Sequence, residues 1–140
     1  MIAALALIFG IVQLRANERT RRKNNAEALW REYELLCIEH PRFANPKDNE
    51  VVLDLDQLLL DGSPSNFTQY EYFVSLLLYA CDSIKEAYPR GRPDWDRSVD
   101  DELNWHRIFL TSNYFETYLP TVSPTVCKLI YKMRQDTRPE

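Results

Sequence analysis

An all-α fold is predicted for this chain: an N-terminal membrane helix that continues into a small antiparallel bundle of three long helices and one short one. Three observations predict it. Only three glycines stand among 140 residues, too few for a sheet with its turns. Apolar residues recur at spacings of three and four over several long windows. The single strand-like run, "VVLDLD" at 51–56, has no second run to pair with. The length suits one core, because domains typically hold about 100–150 residues. A hydrophobic share of 45% is enough to fill that core.

The first element is the apolar run that ends at Leu14. Its candidate membrane-anchor residues are Ile2, Leu5, Leu7, Ile8, Phe9, Ile11, Val12 and Leu14. At ~0.3–0.6 kcal/mol each they favour insertion by roughly 2–5 kcal/mol, less the cost of Gln13. A cleaved signal would place positive charge before the run and small residues after it. Here no Lys or Arg precedes Ile2, and the exit reads Leu14-Arg15-Ala16. An interfacial helix would show a polar face, and residues 2–12 have none. The run is short: as a helix it covers about 20 Å against a hydrocarbon core of ~30 Å. A thinned bilayer with Arg15 snorkelling, a start upstream of Met1, or a neighbouring helix are the ways to reconcile the two.

The second element is a basic collar. Arg15, Arg19, Arg21, Arg22 and Lys23 stand against the single acid Glu18, a balance of +4, so the remaining residues carry −8 of the total −4. These five are the candidate residues for lipid headgroups and topology. Cations on this flank hold it in the cytoplasm, which predicts a single-pass protein of the inner or plasma membrane with its C-terminal domain cytoplasmic. The acidic body excludes general nucleic-acid binding, which depends on Lys and Arg contacts to phosphate.

The body follows from 26. "NNAEALWREYELLCIEHP" puts Ala26, Leu29, Trp30, Tyr33, Leu36, Cys37 and His40 on one helical face, and Pro41 ends it. No Gly or Pro lies between 11 and 40, so anchor, collar and first bundle helix are expected to form one rod. Residues 41–64 begin turn-rich and then read as a short helical turn or an extended strap rather than a strand. Asp54, Asp56 and Asp61 do not make a calcium loop, because Leu59 occupies the position that needs Gly. The second helix opens at Ser63-Pro64 with a Thr68-x-x-Glu71 capping box and carries Phe67, Tyr70, Phe73, Val74, Leu77, Cys81, Ile84 and Tyr88. "PRGRP" stops it. Asn66-Phe67-Thr68 is a glycosylation sequon in form only.

The third helix is expected to run from Asp94 through "DWDRSVDDELNWHRIFLTSNYFETYLP", its early acids Asp94, Asp96, Asp100 and Asp101 favoured by the helix dipole. The fourth begins at Ser123-Pro124 and carries Val126, Cys127, Ile130 and Met133. The resulting organisation is 1–14 membrane anchor, 15–25 basic juxtamembrane collar, 26–135 helical bundle and 136–140 frayed tail. With alternating helix directions, "PRGRP" and the end of the fourth helix share the collar pole. Lys85, Arg90, Arg92, Lys132 and Arg134 then lie near lipid, and the acidic run 94–102 faces Arg19 and Arg22.

No catalytic residue is assigned. His40 and His106 fall on apolar faces without HxxxH or CxxC spacing, so they read as structural, and no metal or cofactor is expected. Cys37, Cys81 and Cys127 read as reduced core thiols. Cys37 and His40 share a face, but that face is the buried one. The aromatics Tyr70, Tyr72, Phe73, Tyr79, Tyr114, Phe115 and Tyr118 exceed what the core stripes need, which leaves some for a partner surface.

Trp30, "EHPRF", "YEYF", Trp95 and "SNYFETYLP" together give a layout that resembles small bacterial proteins of unknown function with one N-terminal membrane helix and a compact helical cytosolic domain. The resemblance implies a fold and a location, and no activity. The expected role is a membrane-anchored, non-enzymatic interaction or regulatory module. Its partners are membrane lipid and either another protein or further copies of itself. The alternatives are a small subunit of a larger membrane assembly and, third, an anchored enzyme or effector.

Overall fold

The computed structural model describes residues 2–46 and 64–136, with side chains described for 11–46 and 68–136. The described part is helical without a strand. Its elements are α1 (Ile2–Glu39), α2 (Pro41–Ala44), α3 (Pro64–Ala87), α4 (Pro93–Trp105), α5 (Arg107–Leu110), α6 (Asn113–Glu116), a 3-10 turn (Leu119–Thr121) and α7 (Pro124–Gln135). The strap expected at 47–63, the acids Asp48, Glu50, Asp54, Asp56 and Asp61, and the tail from 137 lie outside the described residues.

The apolar run, the collar and the first bundle helix form one 38-residue rod, as the missing helix breakers predict. The membrane-spanning part of the expectation is not supported. Among the described residues no helix is long and apolar enough to cross a membrane. The physical reason is length: the rod is long, but Arg15 ends its apolar portion only 13 residues after Ile2.

Pro41 ends α1 and starts the single turn of α2, which buries Phe43. α3 then runs antiparallel to α1. Its last turn lies beside the collar, where the Tyr88 hydroxyl donates to Glu27 at 2.6 Å. Its early turns lie beside the end of α1, where Phe73 packs on Tyr33 and Phe43. The predicted capping box is not used, because α3 has already begun at Pro64 and Thr68 sits inside it.

α4 descends alongside α1, joined through Trp30 and Trp95, whose rings meet edge-on at 5.5 Å. Asp94 and Asp96 occupy its first turn as the dipole argument predicts. The continuous third helix expected through Tyr118 is a correction: it stops at Trp105 and breaks into two single turns and a 3-10 turn. No Pro or Gly causes the break. His106 leaves helical geometry and is buried, and polar side chains then take up the freed backbone groups. Ser112 accepts from the Phe115 N–H and donates to the Phe109 carbonyl, while Thr111 donates to the Arg107 carbonyl.

α7 is capped by Ser123, which accepts from the Val126 N–H, with Pro124 at its start, as predicted. Its direction is not. Arg107 donates to the Met133 carbonyl and Arg134 to the Ser112 carbonyl, so the last turn of α7 is tied beyond the end of α4, far from the α3–α4 turn. Lys132 and Arg134 therefore do not join the collar pole.

The core is unusually aromatic. A chain of ring contacts runs from Trp95 through Trp30, Tyr33, Phe73, Phe43 and Tyr70 to Phe109 and Phe115, joining α1 to α6. Leu77, Ile84, Val99, Leu103, Leu110, Val126 and Ile130 close around it. Burying each such aliphatic side chain contributes about 1.5–3 kcal/mol before entropy is subtracted.

Candidate site at the basic collar

Among the described residues, the turn between α3 and α4 brings Arg90 back to the collar, and the turn is built to hold it there. Tyr88 closes the last turn of α3 through its N–H to the Ile84 carbonyl at 3.0 Å, and the Gly91 N–H returns to the Tyr88 carbonyl at 2.9 Å. Gly91 has φ +74, a left-handed conformation in which a side chain is strained. A Cβ on it would also lie 2.8 Å from Asp96 Oδ2. That carboxylate is already used twice: it accepts from the Arg92 N–H at 3.0 Å and, through Oδ1, from Lys85 Nζ at 2.7 Å. Lys85 first, and then the Arg92 N–H, hold the Asp96 carboxyl below the usual range.

The turn is pinned to α1 by Tyr88, whose hydroxyl reaches Glu27 and whose ring lies 5.1 Å below Lys23 Nζ. The Arg92 guanidinium lies 5.7 Å from the same ring centroid. Between the two segments lies a groove of about 440 Å³ lined by Arg19, Arg22 and Lys23 of α1 and by residues 86–91. Arg19, Arg22 and Lys23 share one face because they are three and four residues apart. Arg22 is bonded to Glu18 at 3.1 Å; Arg19, Lys23 and Arg90 have no ion-pair partner among the described residues. The lining carries four cations and one carboxylate, Glu86. Such a rim favours an anion.

Of the collar residues, then, Arg19, Arg22 and Lys23 meet at the groove, while Arg15 and Arg21 are exposed on α1 outside it. Of the anchor residues, Ile11, Val12 and Leu14 are 43%, 58% and 70% exposed. Ile2, Leu5, Leu7, Ile8 and Phe9 are helical in backbone, and their side chains lie outside the description. Among the described side chains of α1, the first that is buried is Ala26. The expected pairing of 94–102 with Arg19 and Arg22 is corrected. Asp96 binds Lys85, and Glu102 accepts from Tyr33 at 2.7 Å, well down α1. Sequence reasoning missed Tyr88 as a site residue, since its place on the α3 stripe marks it only as core.

The other candidate residues separate cleanly. His40, expected on the buried face of α1, is instead exposed beside Phe43 past the end of the helix, whereas His106 is buried and bonded to Tyr70. All three cysteines are free, and burial pushes each thiol up, away from the thiolate a nucleophile needs. No group of three or more His, Cys, Asp or Glu among the described residues is placed to hold a metal ion. Tyr70, Phe73 and Phe115 belong to the core, while Tyr72 and Tyr79 stand 73% and 62% exposed on α3. In comparisons with known proteins, no family model, no curated protein and no solved structure matches this chain.

Proposed function

We propose that this protein is a membrane-tethered helical interaction module, held by the apolar start of α1 and oriented by its collar against an anionic inner leaflet. The observation that carries the reading is the continuity of α1. One rigid helix joins the apolar run, five exposed collar cations and the buried stripe from Ala26 to Tyr33. A charge attracted to lipid at the collar therefore fixes the orientation of the whole bundle. Each collar cation near an anionic surface adds about 1 kcal/mol. The full chain is expected to float with vesicles, and a chain lacking residues 2–14 to remain helical without floating. A full-length chain that stays free in solution refutes the reading. Changing Arg15, Arg19, Arg21, Arg22 and Lys23 to glutamine is expected to scramble the topology seen by protease accessibility, and an unchanged pattern removes the collar from it.

A specific observation favours a second reading, a subunit of a larger membrane assembly. Leu35 and Ile38 of α1 and Tyr72 and Tyr79 of α3 are exposed, more large apolar surface than a lone module needs. Purification in mild detergent separates the two: a stoichiometric partner supports the subunit, and a lone chain or homo-oligomer the module. The third reading, an anchored enzyme, requires an activity that His106→Ala abolishes without unfolding.

A further inference from the structure

We propose that the groove between the collar and the α3–α4 turn is a defined pocket for the phosphate of an anionic glycerophospholipid headgroup, gripped by Arg19 and Lys23 from one side and Arg90 from the other. The inference rests on the membrane-surface reading for the source of that phosphate. A helix surface that merely attracts lipid needs only charge, and its cations are interchangeable. Here cations from two segments far apart in sequence converge on one cavity of about 440 Å³. The convergence is built, because Gly91, the Asp96 carboxylate and the Tyr88–Glu27 hydrogen bond together set where Arg90 stands relative to α1. Like charges brought together this way repel one another, and a bound phosphate relieves the repulsion.

The cations differ in availability. Arg22 is occupied by Glu18, while Arg19, Lys23 and Arg90 have no ion-pair partner among the described residues. Two guanidinium groups and an ammonium can hold the anionic oxygens of a phosphate through charge-assisted hydrogen bonds. Glu86, on the same rim, opposes an anion seated next to it, so the phosphate is held by the cations and away from that carboxylate. The ring of Tyr88 lies under Lys23 at 5.1 Å and holds that ammonium at the groove. The groove lies on α1 just beyond the exposed Ile11, Val12 and Leu14, which the acyl chains of a seated lipid reach first.

The test uses the full chain in mild detergent, with thermal stability as the readout, because a ligand that binds only the folded state raises the melting temperature saturably. The probes are short-chain phosphatidic acid, short-chain phosphatidylcholine and inorganic phosphate. Phosphatidic acid is expected to stabilise saturably and the other two not. Arg90→Gln and Arg19→Gln are each expected to weaken its binding by at least about tenfold, the loss of one charge-assisted hydrogen bond. Arg97→Gln, which removes the same charge from the exposed face of α4, is expected to change it less than twofold. Equal losses at Arg90 and Arg97 would mean diffuse charge and overturn the pocket. Equal saturable binding of inorganic phosphate would overturn the lipid source, and no saturable binding would overturn the site. Since no bilayer is present, failure here leaves vesicle flotation to decide the tether independently.

Discussion

The hydroxyl of Tyr70 and Nδ1 of His106 are hydrogen-bonded at 2.9 Å inside the core, 36 residues apart in the chain. Phe73 packs against the imidazole at 5.7 Å, and Nε2 has no hydrogen-bond partner among the described residues. Burial lowers the His106 pKa from 6.5 to about 4, so the native imidazole is neutral at ordinary pH.

A pH dependence follows. The unfolded chain takes up a proton near pH 6.5 that native His106 refuses until about pH 4, so stability is full above 6.5 and falls between those values. The loss is on the order of 3 kcal/mol. Glu102, held above the usual carboxylate range chiefly by burial, acts in the opposite sense, so the comparison must be with a variant. Urea unfolding of His106→Gln is expected to lack this acid loss. Parallel pH profiles for the two proteins would contradict it.

Tyr33 and Glu102 make another long-range polar contact, at 2.7 Å between α1 and α4. Tyr33→Phe is expected to destabilise by about 1–2 kcal/mol, because the half-buried carboxylate loses its donor. The same change removes the hydrogen bond that lowers the Glu102 pKa, so its carboxyl should titrate higher. Carbon NMR of the glutamate side chains reads this directly, and an unmoved Glu102 titration would show the bond to be unimportant.

Gly91→Ala is expected to cost about 1–2 kcal/mol from its left-handed backbone. The new Cβ would also press on Asp96 and loosen its hold on the Arg92 N–H. Chemical denaturation measures the cost; a neutral substitution would mean that the turn relaxes without loss and does not hold Arg90 in place.

The placement of the α3–α4 turn can be tested by distance. Cysteines introduced at 22 and 90, which line one groove, should join through a short crosslinker, whereas a pair at 22 and 100 should not. Residues 95 and 102 meet α1 at 30 and 33, more than two helical turns from 22. The reverse pattern would shift α4 toward the collar.

Much of the helix punctuation was legible in the residues themselves. Pro41 ends α1 because it lacks an N–H and disfavours helix at His40, Ser123 and Pro124 start α7, and the acids at 94 and 96 suit a helix start; each acts within one turn of its own position. The uninterrupted rod from the apolar run to Glu39 was legible for the same reason, since nothing between 11 and 40 breaks a helix. Alternating helix directions already put "PRGRP" at the collar pole, whereas tertiary structure alone decided the break at His106, the direction of α7 and the Tyr88–Glu27 clasp that sets Arg90 beside Arg19 and Lys23. Those outcomes depend on partners tens of residues away: Tyr70 draws the imidazole inward, Arg107 and Ser112 hold the end of α7, and Glu27 fastens Tyr88. Periodicity reports which face of a helix is buried, but not which neighbour buries it, and so the acidic run that charge alone assigns to Arg19 and Arg22 is met instead by Lys85 and Tyr33.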